Sequence, residues 1–407
     1  MAALDRRGAG RLRRGAPGTV IYALLAFGAA AAAYQLLALA AVVSQALKAR
    51  SPLAHARGSA IAPGAFRPPV SILKPLHGLD PDFYQTVRSH ALLAYPEFEI
   101  LFGVSDPDDP ALGEIERLQA EFPAVAIRLI RSEAATPNRK VGVLADLAAA
   151  ARYPVLVVND SDIRVEPDYL ARVVAPLEDS TVGMVTCLYR ARAHSLPGRF
   201  EAVGIATDFA PSALVAPLVG ISGFALGSTM AFRADDLARI DGFASVADTI
   251  ADDHHLGRRI GELGRRVVIS TCVVETTVTD THWGEMWRHQ VRWARTIRLS
   301  RGGGYLGLPI ANATLWAALL AAGGMWRAAL ALVALRLAVG LTAAVAVLRD
   351  RQSLACAYLI PFRDLAGLGV WAAGLFGSTV VWRDARLKLD RKGRIVASQV
   401  EISRQTR

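Results

Sequence analysis

From Thr19 to Leu47 the chain runs for 29 residues without a charge. About 20 apolar residues suffice to cross a bilayer as a helix. A secretory signal has a shorter apolar core and a small-residue cleavage site, so this run predicts an uncleaved membrane anchor. Three more apolar runs cluster near the other end. Gly302–Trp326 is uncharged, Arg327–Leu348 is interrupted by Arg336, and Gln352–Trp382 is interrupted by Arg363 and Asp364. Charges at membrane depth are costly and usually pair. The pattern predicts an Arg336–Asp364 pair and leaves Arg363 to snorkel or to face a lipid headgroup.

Between the first and second runs the pattern changes. Short β-branched stretches at Val70–Leu73, Phe98–Val104, Val125–Ile130, Val155–Asn159, Val182–Cys187 and Val267–Ser270 alternate with helical ones. Asp80-Pro81, Asp109-Pro110 and Glu166-Pro167 each read as an acidic cap followed by proline at the first helical position. Apolar strands with intervening helices predict a mainly parallel, doubly wound α/β sheet. Ligands of such sheets sit at the carboxyl ends of strands. That rule selects the ends after Val104 and Val158 and the Lys74-Pro75 step.

Charge sharpens this picture. The net charge is +10, but residues 1–18 carry five Arg against Asp5, and residues 383–407 carry eight Lys/Arg against three acids. The tails thus hold +4 and +5, and the middle is nearly neutral. A nucleic-acid binder needs a basic face on its folded part. Basic tails beside apolar runs fit anionic lipid instead. Basic residues flank the first run on both sides (the Arg-rich tail, then Lys48, Arg50 and Arg57), so charge counting alone does not orient it. Cys187, Cys272 and Cys356 fit no metal spacing and no disulfide framework.

The candidate chemistry lies at the strand ends. After Val104 comes Ser105-Asp106-Pro107-Asp108-Asp109, an Asp-rich turn in which Asp106 can accept hydrogen bonds from a base or ribose. After Val158 comes Asp160-Ser161-Asp162. Two ionised carboxylates this close repel each other and need neutralising. At a strand end they suit a divalent cation, Mg²⁺ or Mn²⁺, that also holds a diphosphate; otherwise they are a solvated turn. Asp252 and Asp253 open a predicted helix, where acids favour the dipole. One of them can also serve as a general base. His254 and His255 are adjacent and face different ways on a helix, which argues against metal ligation. In the stretch "WRHQVRWAR", Arg288, Arg292 and Arg295 share a helical face. Arg292 can hold a pyrophosphate and Trp293 can stack on a sugar, or the helix can simply lie on the membrane surface.

With these four sites in order, the chain resembles the membrane glycosyltransferases of the ceramide glucosyltransferase family. The stretches that carry the likeness are "GVSDPDDPA", "NDSDIRV", "IADDHHLGRRI" and "HQVRW", supported by "VSILKPLHG" and "PNRKVGVLADL". "VGMVTCLYR", "VVETTV" and "RHQVRWARTIR" look most like the bacterial hopanoid-biosynthesis-associated members. The resemblance implies an α/β nucleotide-diphospho-sugar transferase fold of GT-A type, with N-terminal and C-terminal transmembrane helices. It implies a basic tail (1–18), an anchor (19–47), a linker (48–65), a catalytic domain (66–282), an interfacial helix (283–301), membrane segments (302–382) and a second basic tail (383–407). By residue, it assigns Asp106, Lys140, Pro75, Asp160 and His289 to the nucleotide sugar, and Asp160 and Asp162 to the metal. It makes Asp253 the base with Asp252 beside it, and Arg292 and Trp293 the R-W pair. His289 stands where the family has Gln or Arg, and "TDFAPS" (207–212) lacks a His that ceramide enzymes carry near this point. The implied activity is inverting transfer from a UDP-sugar, glucose or N-acetylglucosamine, to a hydroxyl of a membrane lipid, a hopanoid first and ceramide second. The implied setting is a bacterial inner membrane with the catalytic domain cytoplasmic. The rival expectations are a processive polysaccharide synthase, for which the apolar runs are few, and a non-catalytic membrane protein.

Overall fold

The computed structural model describes residues 17–50, 66–279, 281–382 and 385–400. The expected N-terminal basic tail and most of the linker lie outside the described residues.

The strands follow the expected apolar stretches. Among the described residues they form one seven-stranded sheet in the order β3-β2-β1-β4-β6-β5-β7. β1 (Val70–Pro75), β2 (Phe98–Val104), β3 (Ala126–Arg131) and β4 (Val155–Val158) run parallel. β6 (Met230–Arg233) runs antiparallel between β4 and β5. β5 (Val182–Ala193) and β7 (Arg266–Val278) pair in parallel and extend well beyond the expected Val182–Cys187 and Val267–Ser270. β6 is too short to carry a periodic signal of its own.

Side-chain alternation builds the two faces. Val70, Ile72, Val155 and Val157 enter one core with Tyr169 and Val173. Leu73, Leu156 and Val158 enter the other with Leu144, Leu147 and Phe243. On β2, a Cβ at Gly103 would lie 2.4 Å from Val143 Cγ1, so glycine lets the Arg139–Ala150 helix press onto the sheet. The acid–proline signals mark the approach to each helix rather than its first residues. The helices open at Phe83, Ala111 and Tyr169, with the proline at the cap or just before it, within the usual spread of helix ends.

The apolar runs divide differently from expectation. Among the described residues, three helices are long and apolar enough to cross a membrane: Thr19–Arg50, Leu196–Val219 and Trp326–Val347. The second of these is an addition, since its apolar stretch carries Arg199, Glu201 and Asp208. The Gly302–Trp326 run is bent by 56° between Gly304–Ala311 and Ala313–Ala322. The Gln352–Trp382 run is not one span. Its helix, Ile360–Gly374, is 15 residues long, and Thr379–Trp382 is a strand. That strand, β8, pairs antiparallel with β9 (Ala385–Leu389), which pairs with β10 (Ile395–Val400). The second basic tail is therefore folded through residue 400. It also docks on the α/β unit, where Ile395 N donates to Asp248 O (2.6 Å) and Ile250 N to Gly393 O (3.4 Å).

The Thr19–Arg50 helix packs through small residues, Ala31, Ala38, Ala41 and Ala46, as membrane helices do. Gln45 Nε2 donates to Ser270 O of β7 (2.8 Å), which ties the anchor to the sheet. The expected Arg336–Asp364 pair forms as a two-pronged contact, Nε to Oδ2 at 2.9 Å and Nη2 to Oδ1 at 2.6 Å. Arg363 does not snorkel; its Nη2 donates to Gln290 Oε1 (2.6 Å).

Stripping one partner from this buried pair leaves a bare charge, so Arg336→Met or Asp364→Leu alone should destabilise by about 3–5 kcal/mol. The double variant should recover much of that loss. Thermal unfolding of the four proteins in detergent checks it; additive losses would mean that the two charges do not depend on each other.

Candidate active site

Four separate segments meet at the carboxyl edge of the parallel strands, three of them bearing charge. The loop after β4 carries Asp160 and Asp162. The Arg139–Ala150 helix, capped by Asn138 Oδ1 on Val141 N (3.3 Å), carries Lys140 in its first turn. The Asp252–Glu262 helix opens with Asp252 and Asp253. The loop before β6 carries Gly227.

Lys140 is the centre of this arrangement. Its Nζ lies 2.7 Å from Asp160 Oδ1 and 3.4 Å from Asp252 Oδ2. Asp253 stands beside them, its Oδ2 accepting from Gly227 N (2.9 Å) and its Oδ1 from His254 N (2.7 Å). A Cβ at position 227 would lie 2.8 Å from Asp160 Oδ2 but at an ordinary 3.6 Å from Asp253 Oδ2, so glycine gives the Asp160 carboxylate its room here.

The electrostatics follow from this crowding. Burial, and then the Asp252 charge, pushes the Asp253 carboxyl up to about 7. Burial also raises Asp252, against the pull of Lys140. Asp162 is raised by burial and by Asp160, although Thr276 Oγ1 donates to its Oδ2. Beneath the loop, Lys74 of β1 is fully buried and donates to Asp160 O (2.9 Å). Burial draws its ammonium down to about 7.

The structure brings Lys140, Asp160, Asp252 and Asp253 together. Asp162 adjoins Asp160 but faces Thr276. Asp106 stands apart; it is exposed, and its Oδ1 accepts from Asp108 N (3.0 Å) in a turn at the end of β2. Pro75 is buried at the end of β1, in register with Gly103. The "HQVRW" stretch lies on the Trp283–Arg301 helix, and His289 and Trp293 stack edge to face at 5.0 Å. His289 Nδ1 lies 3.1 Å from Glu201 Oε1, a buried carboxylate. Of the three arginines expected on one face, Arg295 is engaged with the carbonyls of Phe376 and Thr379 (3.0 and 2.7 Å). The helix is covered along this side by Val370 and Tyr305, so it is not a free surface helix.

Lys140, Asp252, Asp253, His289, Arg292 and Trp293 all line one cavity of about 1510 Å³. It continues among the apolar helices, past Asp208, Asn312 and Arg363. Gly227, Lys74 (selected only as a strand-end position), Thr276 and Glu201 are site neighbours to which sequence reasoning gave no functional role. A lysine inside an otherwise apolar strand, and a glycine opening the loop before β6, are the signals that point to the first two.

The whole-chain comparison decides the family. The model of glycosyl transferase family 21 matches residues 26–395. The chain belongs to this family. Curated relatives include ceramide glucosyltransferase 1 of Caenorhabditis elegans, 25% identical over 52% of this chain and 46% of that protein. Another is the ceramide glucosyltransferase of Komagataella phaffii, 33% identical over 27% of this chain and 23% of that protein. The chain thus spans less than half the length of the curated relatives it matches. Among solved structures, it aligns with mannosyltransferase PcManGT from Pyrobaculum calidifontis, in complex with GDP-Man and Mn²⁺. The TM-score is 0.47, with 19% identity, 86% of this chain and 97% of that one. The resemblance to ceramide glucosyltransferase-like enzymes therefore holds.

Among the described residues no three His, Cys, Asp or Glu side chains converge as a metal cage. Asp160 and Asp162 offer two hard oxygen donors one residue apart at the strand end, Asp160 being also paired with Lys140. That donor set fits a divalent cation whose remaining positions come from a ligand and water.

The ammonium of Lys140 offsets carboxylates whose charged forms burial disfavours. Without it, their folded-state values rise further above the unfolded ones, so stability is lost as pH climbs through them. Lys140→Met should therefore cost about 3 kcal/mol at pH 8 and clearly less at pH 5.5, read as Tm. A pH-independent loss would mean that the ammonium does not balance these acids.

Proposed function

We propose that this protein transfers a sugar from a UDP-sugar, N-acetylglucosamine or glucose, to a hydroxyl of a membrane lipid, with inversion. The acceptor of first choice is a polyhydroxylated hopanoid, and the membrane is a bacterial inner membrane with the catalytic domain on the cytoplasmic side. One observation carries this reading. A single cavity joins a carboxylate–lysine cluster at the strand ends to an arginine–tryptophan helix and then to a polar chamber among apolar helices.

In this reading Asp253 accepts the proton of the lipid hydroxyl. Two backbone N–H groups fix its carboxylate, and its raised value suits a base working near neutrality. Lys140 and Arg292 face the diphosphate and favour its departure. His289, held by Glu201, stands near them and can donate to a phosphate oxygen. Trp293 offers a flat face to sugar or acceptor. Asp160 and Asp162 would hold a divalent cation, Mg²⁺ or Mn²⁺, which when bound supplies positive charge to the leaving diphosphate. Pro75 and Asp106 would border the nucleotide at the ends of β1 and β2.

A ceramide acceptor is the second reading, and the names of the curated relatives favour it. Mass spectrometry of membrane lipids with and without the protein separates the two. An N-acetylhexosamine shift on a hopanoid supports the first, and a hexose shift on ceramide the second.

Asp253→Asn should lower kcat by about 10²–10⁴-fold while UDP-sugar binding stays intact; near-normal turnover sinks the base assignment. The base works only when ionised, so kcat/KM should rise with pH up to about 7, where Asp253 titrates, and level off above it. Asp162→Ala should abolish the dependence of UDP binding on added Mn²⁺ or Mg²⁺, measured by calorimetry; retained dependence would place the cation elsewhere.

A further inference from the structure

The Leu196–Val219 segment is not a regular helix. It winds as an α-helix over Leu196–Gly204, as a π-turn over Ile205–Phe209, and again as an α-helix over Ala210–Val215. Such turns insert a residue and loosen the backbone ladder, often at functional sites. Here Thr207 O accepts from Arg336 Nη1 (2.8 Å), and Arg336 is locked on Asp364. Asp364 Oδ2 also accepts from Thr314 Oγ1 (2.5 Å). The Arg336–Asp364 pair is thus fully engaged in holding the turn.

The next residue, Asp208, is different. It lines the cavity and makes no hydrogen bond or ion pair with any described residue. A carboxylate among apolar helices is costly and marks a functional position. Arg363 lines the same chamber. Its Nη2 is held by Gln290, but its Nε is buried without a hydrogen-bond partner among the described residues. Glycine admits it to this place, since a Cβ at Gly204 would lie 2.4 Å from Arg363 Nε. The chamber is continuous with the active site. The Phe209 ring lies 6.3 Å from that of Trp293, and Gln290 follows His289 on the same helix.

A carboxylate only accepts hydrogen bonds and a guanidinium only donates them. Together they carry no net charge. The matching headgroup is neutral and has groups that both donate and accept, such as hydroxyls or an amide. A headgroup with phosphate alone would meet the Asp208 carboxylate, one with ammonium alone would meet Arg363, and the hydroxyl acceptor of the reading above carries neither charge.

We propose that Asp208 is a specificity-determining residue for the acceptor lipid, binding a second polar group of its headgroup, one that is not glycosylated. This rests on the lipid-glycosyltransferase reading above.

The test uses the full chain in detergent with UDP-sugar and two kinds of acceptor. One kind has several neutral polar groups, ceramide or bacteriohopanetetrol. The other, 1-octadecanol, has a single hydroxyl. In Asp208→Ala the kcat/KM preference for the first kind should fall about tenfold, the scale of one hydrogen bond to a charged group, mainly through acceptor KM. The Kd for UDP should stay within about twofold. Asp208→Asn, which keeps an accepting oxygen of the same shape, should retain part of the preference. An unchanged preference in both variants overturns the proposal, as does a loss shared equally by the two kinds of acceptor. Wild-type protein that binds no UDP would overturn the glycosyltransferase reading itself, and this inference with it.

Discussion

Everything at the strand edge depends on how one ammonium balances several carboxylates. Asp160, Asp252 and Asp253 come from segments nearly a hundred residues apart and meet beside one wall of the cavity, with Asp252 buried and the other two partly exposed. Left alone, such a cluster would protonate or push apart. Lys140 holds two of them directly and softens the field at the third. The balance is incomplete, since Asp253 is still held near neutrality. A group that titrates near working pH is what proton transfer needs, so under the proposed function the incomplete balance and the chemistry have one origin. Gly227 leaves the Asp160 carboxylate its room, and the sheet cores on both faces keep the edge from relaxing.

The same logic recurs deeper among the apolar helices. Arg336 and Asp364 satisfy each other and pin a π-turn, so the charge at this depth is structural. Asp208 and Arg363 sit close by but are not consumed in this way. Fully paired charges hold a shape, and a charge left facing the cavity, as Asp208 is, can meet a ligand. The folded C-terminal strands add a further tie. They join the loop before Asp252 to the helices, so the Asp252–Glu262 helix is anchored from both the sheet and the apolar side.

Much of this was legible in the chain. The strand ends after Val104 and Val158, the first apolar run and the Arg336–Asp364 pair all follow from periodicity and from the cost of burying charge. So did the prominence of Asp160, Asp162 and Asp253, because acids at strand ends and helix starts stand out against an apolar background. Three things were not legible. β6 is four residues long and runs against its neighbours, so it has no period to read. The Leu196–Val219 helix carries charges that masked its apolar character. The last apolar run looked continuous, yet it divides into short helices and a strand, because hydropathy counts residues and not the turns that break them.

The sequence by itself determined which residues bear charge, where strands stop, and which runs prefer lipid, since these depend on local composition and on periods of two and 3.6. Only the tertiary structure decided which charges meet. Lys140 on Asp160, Arg363 on Gln290 and Arg295 on the loop after Gly374 are contacts across long sequence separations, fixed by packing. The same packing turned residues 385–400 of the second basic tail into a strand pair and set Asp106 apart from the cavity. It left Asp208 facing that cavity, because whether a charge is paired depends on what the fold places opposite it, and no local pattern records that.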